Sequence, residues 1–158
     1  MKIDNTIESY ISDRINEVNA EPLTRLDALM DEEKQKAKDV IESAINSACF
    51  SIAWDLGFDS SRITKNTDYY YINQIFRLDG KKPITTVRYD ELAEIKNAYD
   101  DACNKLRMAA KVELSINKKI SSVTDIDVML GERAKAIGAK LSADLDKLLA
   151  EPEYGESD

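Results

Sequence analysis

Residues 31–58, DEEKQKAKDVIESAINSACFSIAWDLGF, constrain this chain more than any other stretch. Ala37, Val40, Ile41, Ala44, Ile45, Ala48, Cys49, Ile52, Ala53 and Leu56 recur at spacings of three and four, which places them on one side of an α-helix. Gly57 stands where a left-handed C-terminal cap belongs, and Phe58 is placed to fold back over the last turn. The spacing therefore predicts a long core helix with a defined end. Whether it starts at Asp31 or runs unbroken from Pro22 is open, because Leu23, Leu26 and Met30 prolong the stripe while Asp31 to Lys36 reads as a solvated face or a break.

The other elements are expected to pack on this helix. Ile3, Ile7, Ile11, Ile15 and Val18 predict a first amphipathic helix over about 4–18, with Asp4 or Thr6 as its cap. Leu92, Ile95, Tyr99, Ala102, Leu106 and Ala109 form a heptad-like seam for a helix over about 90–116, with Asp90 as N-cap. Thr124 with Asp127 reads as a capping box opening a last helix, whose core side is Ile126, Leu130, Ala134, Ile137, Leu141, Leu145 and Leu148. Gly131 and Gly138, with Ala134 between them, offer a strip that another helix can approach closely. Between the second and third long helices, YYYINQIFRL (Tyr69 to Leu78), the turn signal Asp79-Gly80 and ITTVRY (Ile84 to Tyr89) predict a β-hairpin. The expected fold is mainly α: a four-helix bundle-like body over 1–150, a β-hairpin inserted at about 62–89, and an acidic tail over 151–158.

A chain of 158 residues suits one domain with a sizeable core. Its two cysteines, Cys49 and Cys103, lie inside apolar stripes and read as structural thiols. The amino terminus lacks an apolar leader and no run is long enough to span a membrane, so a cytoplasmic protein, or one assembled in the cytoplasm into a particle, is expected. Histidine is absent, which removes the commonest general base and metal ligand. There is no phosphate-binding glycine loop and no zinc spacing. Glu91, Glu94, Asp100 and Asp101 form the one carboxylate arrangement reminiscent of a Mg²⁺ site, yet they lack a partner pair on another helix. Asp125, Asp127 and Glu132 read as charge favoured at a helix N-terminus. The expectation is a protein without catalytic residues, cofactor or metal.

The net charge of −8 is uneven: residues 1–61 carry −7, residues 62–88 carry +4 and residues 89–158 carry −5. Arg62, Lys65, Arg77, Lys81, Lys82 and Arg88 surround three consecutive tyrosines in the basic segment. Tyr69, Tyr71, Arg77, Lys81, Lys82 and Arg88 are the expected protein-interface residues, because Tyr and Arg are enriched where interfaces are buried. Clamping of single-stranded nucleic acid is the competing reading of the same segment.

INEVNAEPLTRLD (Ile15 to Asp27), followed by a long helix ending in AWDLGF (Ala53 to Phe58), resembles the opening of the head-to-tail adaptor proteins of short-tailed phages, the tail tubular protein A type. YDELAEIKNAYDDACNKLRMAAK (Tyr89 to Lys111) is similar to the acidic helix start that follows their β segment. The chain departs from the pattern at Ala93, where that family often has a proline, and before Trp54, where a glycine is usual. The resemblance implies a virion structural protein of the tail or neck: a homo-oligomeric ring, dodecameric in the family, bound to the portal protein and the tail nozzle protein. DNA would pass through without sequence-specific binding, and no membrane is involved. Two other classes fit an acidic helical chain: a DNA-mimicking inhibitor of a host nucleic-acid-binding protein, and a Mg²⁺-dependent helical nucleotide hydrolase.

Overall fold

The computed structural model describes residues 4–59, 61, 63, 80, 84–117 and 119–151. Four long helices account for nearly all of them: α1 (Asn5–Val18), α2 (Ala20–Leu56), α3 (Val87–Ile116) and α4 (Val123–Ala150). Contacts divide the chain into two units, one of residues 1–29 with 91–158 and one of residues 30–90.

The first unit is a helical bundle around one core. Ile11 and Ile15 of α1, Leu106, Ala110 and Leu114 of α3, and Ile126, Leu130 and Ala134 of α4 are buried together with Ile120 from the connector. The α3 seam holds at Leu92, Tyr99 and Leu106, but Ala109 is exposed and Ala110 and Leu114 take the core positions. A straight helix drifts by about 20° per heptad against a strict seven-residue repeat, and by the fourth turn that drift has handed the core to the neighbouring position.

Asn19 joins α1 to α2. Its backbone N–H donates to the Ile15 carbonyl at 3.3 Å, and its carbonyl accepts from Leu23 N at 3.1 Å, so one residue closes the first helix and opens the second. Pro22 falls in the first turn of α2, where an N–H has no helical acceptor to lose. The helix continues unbroken to Leu56, which settles the question left open at Asp31. Asn19 is 2% exposed, and its Nδ2 donates to the Ala134 carbonyl of α4 at 2.9 Å. The contact is possible because Gly138 has no side chain: a Cβ there would lie 2.7 Å from Asn19 Cγ and closer still to Oδ1. Gly131, the other expected close-approach glycine, has nothing within 4 Å of the same position.

Polar contacts on the rim orient α1. The Tyr10 hydroxyl donates to Asp127 at 2.6 Å, Arg14 Nε lies 3.3 Å from the same carboxylate, and Lys111 pairs with Glu8. Asp127 thus ties α4 to α1; it is not part of the capping box expected with Thr124. The box is instead Ser122 with Asp125, two residues earlier, with Ser122 Oγ accepting from Asp125 N at 3.3 Å. The Asp125 carboxylate accepts from Ser121 N at 3.1 Å and Ser122 N at 3.2 Å.

In the second unit the expected β-hairpin is corrected. No strand is present among the described residues, and Val87, Arg88 and Tyr89, assigned to its return strand, are the first turn of α3. Thr86 is the reason. Its Oγ1 accepts from Tyr89 N at 3.0 Å while its carbonyl accepts from Asp90 N at 3.2 Å, which is an N-cap that overrides the strand preference of the β-branched run. The cap lies four residues before the expected Asp90. The first expected strand, Tyr69 to Leu78, lies outside the described residues, and so do residues 152–158 of the tail. The end of α2 is as expected: Gly57 has φ 76°, Phe58 N donates to Ala53 O at 3.0 Å and Gly57 N to Trp54 O at 3.3 Å, a Schellman closure.

Three outcomes follow from these contacts. Gly138→Ala is expected to destabilise the protein by about 2 kcal/mol, because the added methyl displaces a buried amide from its carbonyl. Gly131→Ala is expected to stabilise it by up to about 1 kcal/mol, and urea unfolding of the pair reads both signs. The two backbone N–H donors and the Ser122 hydroxyl hold the Asp125 carboxyl below its ordinary range. A depressed carboxylate contributes stability above its unfolded value, near pH ~3.9, and loses it as pH falls through the lower folded value. The difference in urea midpoint between wild type and Asp125→Ala is therefore expected to stay constant from neutral pH to about 4 and to close below it.

Candidate protein-interaction site

The helix α2 does not bury its apolar stripe as one face. Ala37, Ile41, Cys49 and Ala53 are buried and Ile45 is half-buried, forming one ladder at four-residue spacing. The adjacent ladder of Val40, Ala44, Ala48, Ile52 and Leu56 is exposed along its whole length. Phe50 and Trp54 project from a further side, with ring centroids 6.5 Å apart and planes 26° from parallel. Trp54 is 78% exposed, Leu56 67%, Phe50 63% and Ile52 49%. Over its last turns the helix is thus apolar around most of its circumference, a pattern that belongs to a helix covered on several sides.

The sequence places no charge between Glu42 and Asp55, a window of twelve residues in a chain whose composition is 33% charged. This was the available signal for an exposed contact face. Three-and-four periodicity marks every apolar position alike, so it could not separate the buried ladder from its neighbour.

Nearer the start of α2, Glu33 is 5% exposed. Its carboxylate meets Lys36 Nζ at 3.0 Å and accepts from the Thr86 hydroxyl at 2.8 Å. A residue read as part of a solvated run is therefore an internal anchor, satisfied by one cation and one hydroxyl.

Tyr69, Tyr71, Arg77, Lys81 and Lys82 lie outside the described residues, as do Arg62 and Lys65. Arg88 is half-buried in the first turn of α3. Glu91 and Glu94 border an open groove of about 430 Å³ between α3 and α4, with Asp144, Lys147 and Glu151. Asp100 lines a different groove, shared with Ser12 and Asn16 of α1, so the four carboxylates do not converge. Among the described residues no group of three or more acidic or cysteine side chains is placed to hold a metal ion. No described helix is long and apolar enough to cross a membrane.

Comparison of the chain with protein-family profiles, with curated proteins and with solved structures finds no match.

Both described thiols sit in packed surroundings. Burial pushes the Cys103 thiol up, and burial together with its contact to Cys103 pushes the Tyr99 phenol up. Cys49 is 8% exposed. At neutral pH both cysteines are expected to react with an aromatic disulfide reagent at least about tenfold more slowly in the native protein than after unfolding, as followed by released thiolate absorbance.

Proposed function

We propose that the chain is a structural subunit of a protein assembly, specifically a virion head-to-tail adaptor joining a portal to a tail nozzle, and that it catalyses no reaction. The observation that carries this reading is the exposure of Ile52, Trp54 and Leu56 at the end of α2. Trp54 and Leu56 belong to the AWDLGF segment, one of those that carry the resemblance to the short-tailed-phage adaptors, and Ile52 directly precedes it. Large apolar side chains clustered at a helix end are the chemistry of a surface completed by another protein.

A ring grows by head-to-tail contacts, which need two different patches on each subunit. One is the α2 end in the second unit. The other is a stripe on α3 in the first unit, where Met108, Val112 and Ile116 follow at four-residue spacing and are 65%, 61% and 74% exposed. The acidic surplus of residues 1–61 and 89–158 suits a wall past which DNA slides without sticking.

Negative-stain imaging of the purified protein mixed with the portal protein of the same particle tests the reading. Rings stacked on the portal are expected, and both Leu56→Asp and Val112→Asp, at exposed positions that leave the fold intact, are expected to abolish them. Particles that bind no portal, or Mg²⁺-stimulated nucleotide hydrolysis by the pure chain, would overturn it.

A further inference from the structure

Two opposite charges lie close together in the first unit, and neither is matched by an opposite charge. Arg107 of α3 is half-buried, and its guanidinium donates only to neutral oxygens: Asn104 Oδ1 at 2.8 Å and Ser12 Oγ of α1 at 3.4 Å. Arg14, Arg25 and Arg133 in the same unit each meet a carboxylate. Asp100 is exposed one helical turn before Asn104, and its carboxylate makes no hydrogen bond or ion pair among the described residues. The bond to Asn104 draws the Arg107 head back along α3, so the two charges border one groove about a turn apart, roughly 5–6 Å.

The neutral side chains of this groove share one polarity. A guanidinium has only donors, so Asn104 turns its oxygen to Arg107 and its amide NH2 has no protein partner. Asn16 is alike, with its oxygen accepting from the Tyr99 hydroxyl at 3.1 Å. The Ser12 hydroxyl accepts from Arg107 and keeps its own proton to donate. Three acceptors are thus committed inside the protein while their donors are left over. The groove holds about 320 Å³, at the small end of ligand sites, and the buried Ile15 and Tyr99 and the half-buried Cys103 line it as well. A simple anion suits Arg107 and the donors but is opposed by Asp100, and a simple cation meets the reverse. A ligand carrying both charges satisfies both ends.

We propose that this groove binds a free α-amino acid with an apolar side chain. Its carboxylate, with about four acceptor sites, lies on Arg107 and the Asn104 and Ser12 donors; its ammonium lies on Asp100; its side chain covers Ile15, Tyr99 and Cys103. An α-amino acid holds its charges on neighbouring groups, and a charge-assisted hydrogen bond of about 2.8 Å at each end lets it bridge a gap of one helical turn. The groove is open and its charges are partly solvated, so the expected Kd is on the order of 1 mM. The site is built within the first unit and uses neither the α2 end nor the Met108–Ile116 stripe, so it is independent of the adaptor reading.

Ligand-observed NMR titration of the full-length protein with L-leucine, N-acetyl-leucine and leucinamide tests it. Leucine is expected to saturate. N-acetyl-leucine, which lacks the ammonium, and leucinamide, which lacks the carboxylate, are expected to bind at least about tenfold more weakly. Asp100→Asn, at an exposed carboxylate without a partner, is expected to remove the preference for leucine over N-acetyl-leucine. Arg107→Gln, checked for unchanged helical circular dichroism, is expected to remove the preference over leucinamide. Leucine is also expected to slow labelling of Cys103 in the wild-type protein and not of Cys49, read on their separate peptides by mass spectrometry. No saturation by about 10 mM leucine overturns the proposal. Equal binding of the three probes, or equal slowing of the two cysteines, overturns it without recourse to any variant. A preference for leucine that survives both substitutions overturns it as well.

Discussion

The bundle depends on a single buried amide. The Asn19 backbone ends α1 and starts α2, and its side-chain amide donates to a carbonyl in the middle of α4, so three helices meet at one residue. A buried amide without partners would cost on the order of 1–3 kcal/mol, whereas one that is fully engaged fixes the register in which the surrounding apolar residues meet. The apolar contacts supply most of the stability, but they are tolerant of sliding. Asn19 is not, because a side chain at position 138 would collide with its amide.

Much of this bundle is legible in the sequence. Ile11, Ile15, Ile126, Leu130, Leu141 and Leu145 are buried where helical spacing places them. Asp4 caps α1 by accepting from Ile7 N at 3.0 Å, and Gly57 closes α2. These features depend on residues near one another in the chain, and local chemistry decides them. The small strip is half legible. Periodicity puts Gly131 and Gly138 on equal terms, and only the third partner, Asn19, more than a hundred residues away, distinguishes them.

The misreadings share a physical cause. Thr85, Thr86 and Val87 favour a strand by their branching, but a threonine one residue before a helix gains a backbone donor that no strand offers it. Thr124 and Ser122 each have an acidic residue three positions on, and which pair caps α4 is settled by the path of the connector. On α2 the buried and exposed ladders are chemically alike. The difference between them is made by what lies against each, and that is a tertiary fact. The same limit applies to function: the exposed aromatic pair is visible in the sequence as composition, and becomes a surface only once the helix is built.

The Thr86 hydroxyl is fully committed, its proton to Glu33 and its oxygen to the Tyr89 amide. The first turn of α3 therefore takes its order from a carboxylate on α2. Solvent exchange at the Tyr89 amide should follow the breathing of α2 around Glu33 more closely than fraying of the helix to which Tyr89 belongs. The first turn of α3 is thereby coupled through one hydroxyl to α2 as well as to its own helix.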